Sequence, residues 1–140
     1  MKGKGIALQL GEAGATVYLT GRTEEDLAIV SNEVRRRGGH PVPVVMDHGV
    51  DTDVEALFDR IKTEQNGKLD VCINNVYSGV GTIFRNQGKG FWETDPYADW
   101  DSINGVGLRG HYICTTYAAR MMTQSKSGLI VIVSSIAGLK

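Results

Sequence analysis

Hydrophobic and polar positions along this chain switch repeatedly between two periods, and the switches divide it into elements. Ile6, Leu10 and Ala13 share one face of a predicted helix that Gly14 stops. Ala15–Thr20 then reads as a strand turning at Gly21. Thr23 is a good N-cap residue, and Leu27, Val30 and Val34 follow at helical spacing until Gly38-Gly39. Val42–Met46 reads as a second strand, with Pro43 suiting an edge position or a strand start. Thr52-Asp53-Val54-Glu55 has the pattern of a capping box, and Val54, Leu57, Phe58 and Ile61 give the clearest helical stripe. Asn66-Gly67 ends it. Leu69–Ile73 is a short apolar strand. Residues 77–99 show no period and read as a long loop. Helical spacing returns at Ile103, Val106, Gly110, Ile113, Tyr117 and Met121. Leu129–Val133 is a β-branched run suited to a strand buried on both faces.

Helices and strands therefore alternate, which implies a parallel sheet with helices on both faces. A helix at the start of such a fold is expected to follow a strand, because parallel strands need crossovers. The fold class is α/β: a Rossmann-like doubly wound parallel sheet, truncated, with its first strand and C-terminal part missing. At 140 residues there is room for one domain. Residues 1–140 are read as a partial domain of that kind.

Composition narrows the function classes. The formal net charge is −1, so no global field draws in nucleic acid or an acidic membrane. The run Arg35-Arg36-Arg37 ends an amphipathic segment and reads as a solvated helix C-terminus. Cys72 and Cys114 sit among apolar residues, as buried thiols in a reducing compartment do. No apolar stretch is long enough to span a membrane, and Met1-Lys2-Gly3-Lys4 leads into an amphipathic pattern without a signal-peptide core. A cytoplasmic location is expected, with an anchor outside these residues left open.

Ligands in such sheets bind at the carboxyl ends of the strands. That rule selects Gly21-Arg22, Asp47, Asn74-Asn75 and Ser134-Ser135. Gly3-Lys4-Gly5 could bring backbone N–H groups and a helix dipole to a pyrophosphate, or be only a flexible terminus. Arg22 at a strand end without a carboxylate suits a ribose 2′-phosphate; the alternative is an ordinary surface arginine. Asp47 could accept from an adenine amino group or merely form a turn. Asn74 and Asn75 could tie strand ends together, and a Ser134 or Ser135 hydroxyl could polarise a carbonyl. His40, His48 and His111 share no metal-ligand spacing with the cysteines and read as solvated or hydrogen-bonded. Phe91, Trp92, Tyr97 and Trp100 either pack the long loop down or line a substrate pocket.

Taken together these segments resemble the short-chain dehydrogenase/reductases over nearly all 140 residues. Gly3 with Gly5-Ile6-Ala7 resembles the tail of that family's glycine-rich segment. Leu19-Thr20-Gly21-Arg22 is similar to the strand end of NADP-preferring members, and Asp47 to the adenine-side aspartate. Asp70–Asn75 is close to the strand leading into Asn-Asn-Ala-Gly, and Gly128–Gly138 to the segment carrying the catalytic serine, with Ser135 at its position. The stretches Asn74–Gly79, Phe91–Thr94 and Val106–Tyr112 point to one branch of the family.

The resemblance implies an NADP-dependent oxidoreductase, NAD being the less favoured cofactor. Hydride would pass between the nicotinamide and a small carbonyl or alcohol substrate. Ser135 would be catalytic; Gly3, Gly21, Arg22, Asp47 and Asn74 would hold the cofactor; no metal is implied. Homo-oligomerisation through the helix containing residues 103–122 belongs to the same implication. Three departures stand against activity of this chain alone. The opening strand and the front of the glycine segment are missing. The family's Tyr-x-x-x-Lys pair would fall beyond Lys140, and losing a general acid/base costs about 10²–10⁴-fold. Gly107 stands where the family keeps a catalytic Asn, and either Asn104, one helical turn away, or water would take its place. The alternatives are a non-catalytic partner that binds a nucleotide or dimerises with an intact homologue, and a partial gene model. A methyltransferase shares the pattern of elements, but the Asn74-Asn75 and Ser135 segments argue against it.

Overall fold

The computed structural model describes residues 3–135. Ile136, Ala137 and Gly138 of the serine segment lie outside the described residues. The chain divides into two compact units, Met1–Asp53 and Val54–Lys140.

In the first unit, α1 (Lys4–Glu12), β1 (Thr16–Gly21), α2 (Glu24–Arg36) and β2 (His40–Val45) follow in order, and α3 (Asp51–Glu64) begins. β1 and β2 are parallel, paired from Thr16↔His40 to Gly21↔Val45. Ala7, Leu8, Leu19, Leu27, Val30 and Val34 form the core. The apolar spacing of α2 is thus reproduced, but α1 buries Ala7, Leu8 and Gly11 instead of Ile6, Leu10 and Ala13. The reason is a close approach of backbones. A Cβ on Gly11 would lie 2.7 Å from Val34 Cγ1, and one on Gly39 would run into Gly11. That contact places Gly11 on the inward face of α1. Gly14 ends the helix at φ +83°.

Thr23 occupies the N-cap position of α2, though its side chain makes no capping hydrogen bond. Glu24, Glu25 and Asp26 fill the first turn, at the positive end of the dipole. Pro43 sits inside β2, opposite Leu19. His40 N–H donates to Ala15 O and Met46 N–H to Gly21 O. With a period of two, even-numbered amides face β1 and positions 41 and 43 face away. Both prolines therefore lie where no ladder donor is needed, as an edge strand requires. The expected cap at Thr52 is displaced: α3 starts at Asp51, where a turn from Asp47 O to Val50 N–H brings the chain in early.

The second unit holds most of α3, then β3 (Val71–Asn74), α4 (Val80–Arg85), a 3₁₀ turn at Phe91–Glu93, α5 (Pro96–Asn104), a π-helical turn at Gly105–Gly110, α6 (His111–Ser125) and β4 (Leu129–Ile132). β3 and β4 are parallel, from Val71↔Leu129 to Asn74↔Ile132. Val54, Leu57, Phe58 and Ile61 are all buried, as their spacing predicts. Phe58 stacks on Tyr117 with ring centroids 5.4 Å apart, and the Arg120 guanidinium lies over the Tyr117 ring, 5.2 Å from its centroid.

Three expectations are corrected here. Residues 77–99 are not one loop, because two short helices and the start of α5 lie within them. Asp95 caps α5 by accepting from Tyr97 N–H and Ala98 N–H, with Pro96 in the first helical turn. The buried face of α6 is Cys114, Ala118, Met121 and Met122, not the stripe through Ile113 and Tyr117. The π-turn turns less per residue than an α-helix, so it shifts the phase of everything after it. β4 is not buried on both faces: Leu129 and Ile132 are exposed. Among the described residues it has only β3 as a strand neighbour.

Candidate cofactor-binding site

Each unit presents polar residues at the carboxyl ends of its own strands. In the first unit Arg22 follows β1 and Asp47 follows β2, and parallel pairing puts them at the same edge. Arg22 Nη1 lies 3.9 Å from Asp47 Oδ2. This is too long for the 2.7–2.9 Å typical of a charge-assisted hydrogen bond. The Arg22 side chain is 77% exposed, so the guanidinium keeps donors for a ligand. Asp47 is oriented by its own turn: Oδ1 accepts from Gly49 N–H at 2.8 Å, and its N–H donates to Asp53 Oδ2 at 2.9 Å. Thr20 Oγ1 and His48 Nε2 are 2.9 Å apart. Local spacing does not single out His48 and Thr20 as site residues. The available signal was the position of His48 directly after Asp47.

Gly3 precedes α1, where its carbonyl accepts from Ala7 N–H. A Cβ at Gly5 would meet nothing within 4 Å, so the helix entry is open to a ligand. Lys4 does not add a free cation there. Its Nζ pairs with Glu33 Oε2 at 2.7 Å, and the ammonium holds the Glu33 carboxyl below its ordinary range. At Gly21 a Cβ would make ordinary contact with Leu27 at 3.5 Å. Packing of the fold thus does not demand glycine there.

In the second unit Asn74 ends β3 and is 4% exposed. Its Nδ2 donates to Thr115 Oγ1 at 3.1 Å, and its carbonyl accepts from Val133 N–H. Asn74 thereby fastens β3 to α6 and to the chain leaving β4. Ser134 and Ser135 follow at this same end of the sheet, and both are exposed. Val76 O accepts from His111 Nε2–H at 2.8 Å, which holds the segment after Asn75. Tyr77 lies against Gly107 and Gly79: a Cβ on either would come within 2.8 Å of its ring or hydroxyl. Asn104 Nδ2 donates to the Trp100 carbonyl of its own helix, and the π-turn follows directly after Asn104.

His48 and His111 are hydrogen-bonded, as expected of them, and the described residues contain no His/Cys/Asp/Glu group able to hold a metal. Phe91 and Trp92 are 91% and 85% exposed, so they do not pack the segment down. That role falls to polar groups. Asp99 is buried and accepts from Arg85 Nη2 at 2.9 Å and from Asn86 Nδ2, while Thr82 Oγ1 pairs with Ser102 Oγ at 2.7 Å. No helix among the described residues is long and apolar enough to cross a membrane.

The sequence profile of the short chain dehydrogenases matches residues 3–140. The chain belongs to that family. It is 51% identical over 138 residues to human dehydrogenase/reductase SDR family member 1, covering 99% of this chain and 44% of that protein. The chain thus spans less than half the length of this relative. Among solved structures, a metagenomic short-chain oxidoreductase in complex with NADP aligns with a TM-score of 0.83 at 29% identity, over 99% of this chain and 59% of the other. NAD⁺-bound xylitol dehydrogenase aligns with a TM-score of 0.81 at 26% identity, over 99% and 50%. The fold is accordingly the Rossmann type of this family, parallel strands alternating with helices. Both nicotinamide cofactors occur among these relatives.

Proposed function

We propose that residues 1–140 form the cofactor-side part of an NADP-dependent oxidoreductase. Its reaction is hydride transfer between the nicotinamide and a carbonyl or alcohol. The observation that carries NADP over NAD is the exposed Arg22 guanidinium at the carboxyl end of β1, held loosely by Asp47. A planar fork of five donors suits a 2′-phosphate, and a free ribose hydroxyl needs an acceptor instead. Gly3 and the open Gly5 entry leave room for a pyrophosphate at α1. Gly21 and Asp47 face the adenosine side, and Asn74 keeps the end of β3 in place.

When bound, the nicotinamide supplies the hydride chemistry, and the protein positions and polarises. Ser135 is assigned the substrate oxygen, to which its hydroxyl donates. Its exposure at the end of β4 supports that role. The substrate is a small molecule with an apolar body, supported by the exposed aromatics of residues 84–97. A cytoplasmic, homo-oligomeric protein is part of this reading.

The test is cofactor binding by titration calorimetry before and after Arg22→Asp. NADPH affinity is expected to fall ~10–100-fold, the worth of a charge-assisted contact, with NADH affinity little changed. An unchanged NADPH/NADH preference would show the role of Arg22 to be wrong.

A further inference from the structure

Two side-chain links join the ends of β1 and β2. Arg22 faces Asp47 at 3.9 Å, and two residues earlier on β1 Thr20 Oγ1 is bonded to His48 Nε2 at 2.9 Å. Successive side chains on a strand point to opposite faces. Thr20 within β1 therefore points away from Leu19 and the core, and Arg22 follows the strand's last residue, Gly21. Asp47 and His48 are adjacent, so the histidine link bears directly on where the aspartate sits.

The histidine is not redundant with the other restraints. Asp53 holds the Asp47 backbone N–H, and Gly49 N–H holds Oδ1. Both contacts act within the turn between β2 and α3. The Thr20–His48 bond ties this turn to β1 through side chains, beside the backbone bond from Met46 N–H to Gly21 O. The bond tolerates either ring tautomer, because a hydroxyl both donates and accepts.

We propose that His48 is a positioning residue for cofactor selectivity. Through Thr20 it holds the Asp47 carboxylate beside Arg22, so that the guanidinium is oriented in advance for a phosphate on the ribose 2′ position. The contact is long enough to orient Arg22 without consuming its donors. This inference rests on the reading of Arg22 as the 2′-phosphate contact.

The test compares adenosine 2′,5′-bisphosphate with AMP by calorimetry on the 140-residue chain. The two probes differ only in the 2′-phosphate, so the ratio of their dissociation constants reports selectivity. His48→Phe and Thr20→Val are each expected to lower that ratio about fivefold, the worth of one ordinary hydrogen bond. His48→Gln and Thr20→Ser, which keep a bonding group, should restore most of it. The double variant should lose no more than either single one. A purely structural role would weaken both probes alike and leave the ratio alone, which overturns the proposal. If Arg22→Ala also leaves the ratio unchanged, the NADP reading falls and this inference with it. If Arg22→Ala lowers the ratio but His48→Phe and Thr20→Val do not, this inference alone is wrong.

Discussion

The ring of Tyr77 lies over Gly107, so close that a Cβ on the glycine would be 2.8 Å from Tyr77 Cδ2. The place a side chain at 107 would take is therefore filled from another element. Replacing a helical glycine by alanine ordinarily stabilises by ~0.5–1 kcal/mol. At Gly107 the overlap should reverse the sign and cost about 1–2 kcal/mol. Gly105, two residues away in the same π-turn, has nothing within 4 Å of a Cβ and is the control. Urea melts should show Gly105→Ala stabilised, Gly107→Ala destabilised, and the penalty removed in a Tyr77→Ala background. If both glycine variants behave alike, the contact is not as described.

The α4–α5 segment should owe its stability to Asp99. Its carboxylate is buried and receives Arg85 and Asn86, both of them donors. Asp99→Asn keeps the volume but puts an amide donor against donors. Because Arg85 is itself largely exposed, the cost is expected at the low end, about 1–2 kcal/mol. The exposed Asp101→Asn should stay within ~0.5 kcal/mol. Thermal midpoints of the two variants decide this, and equal midpoints would remove the network from the account of the fold.

The two thiols give the second unit an alkaline limit. Burial pushes Cys72 from 9.0 up to about 11. Burial, and then the neighbouring Cys72, does the same for Cys114. A raised pKa means that the folded state holds the proton more tightly. The stabilisation is complete below about pH 9 and is lost as pH rises towards about 11. Stability measured across that window should fall more steeply in the parent than in a Cys72→Ala/Cys114→Ala variant, which cancels the common effect of lysines and tyrosines. Parallel curves would count against burial of the thiols. In the folded chain at pH 8 both should also react slowly with a thiol reagent, and quickly in urea.

The parts of the fold legible in sequence are those driven by apolar periodicity. The stripes of α2 and α3 and the strand ends at Arg22, Asp47 and Asn74 needed only local pattern and the rule that ligands gather at carboxyl ends. The α4–α5 region was not legible, because Thr82, Asp99 and Ser102 hold it with buried polar contacts while Phe91 and Trp92 stay in solvent. Asp95-Pro96 was the one local signal, an N-cap followed by proline in the first turn. The phase of α6 is not legible in the apolar spacing, because a π-turn leaves no periodic mark in front of it. The Thr20–His48 and Tyr77–Gly107 relationships join residues 28 and 30 positions apart, and no spacing rule reaches that far.

The packing of the first unit turns on Gly39. Its φ is not in the left-handed region, so an alanine there would be conformationally acceptable. The obstacle is steric: its Cβ would run into the Cα of Gly11 and stand 2.8 Å from the Gly11 carbonyl oxygen. Backbone cannot rotate aside as a flexible side chain can, so α1 would have to lift from α2 and the turn before β2. Gly39→Ala is therefore expected to cost about 3 kcal/mol. Gly38 provides the contrast, with φ +89° and open space around its Cβ. Gly38→Ala carries only the left-handed penalty, about 1–2 kcal/mol. The displaced helix should also weaken NADPH binding in Gly39→Ala, since the open entry at Gly3 and Gly5 moves with α1, while Gly38→Ala binds as the parent does. Melting and titration of the two variants side by side give the answer: equal losses would mean that α1 and the turn before β2 do not meet backbone to backbone.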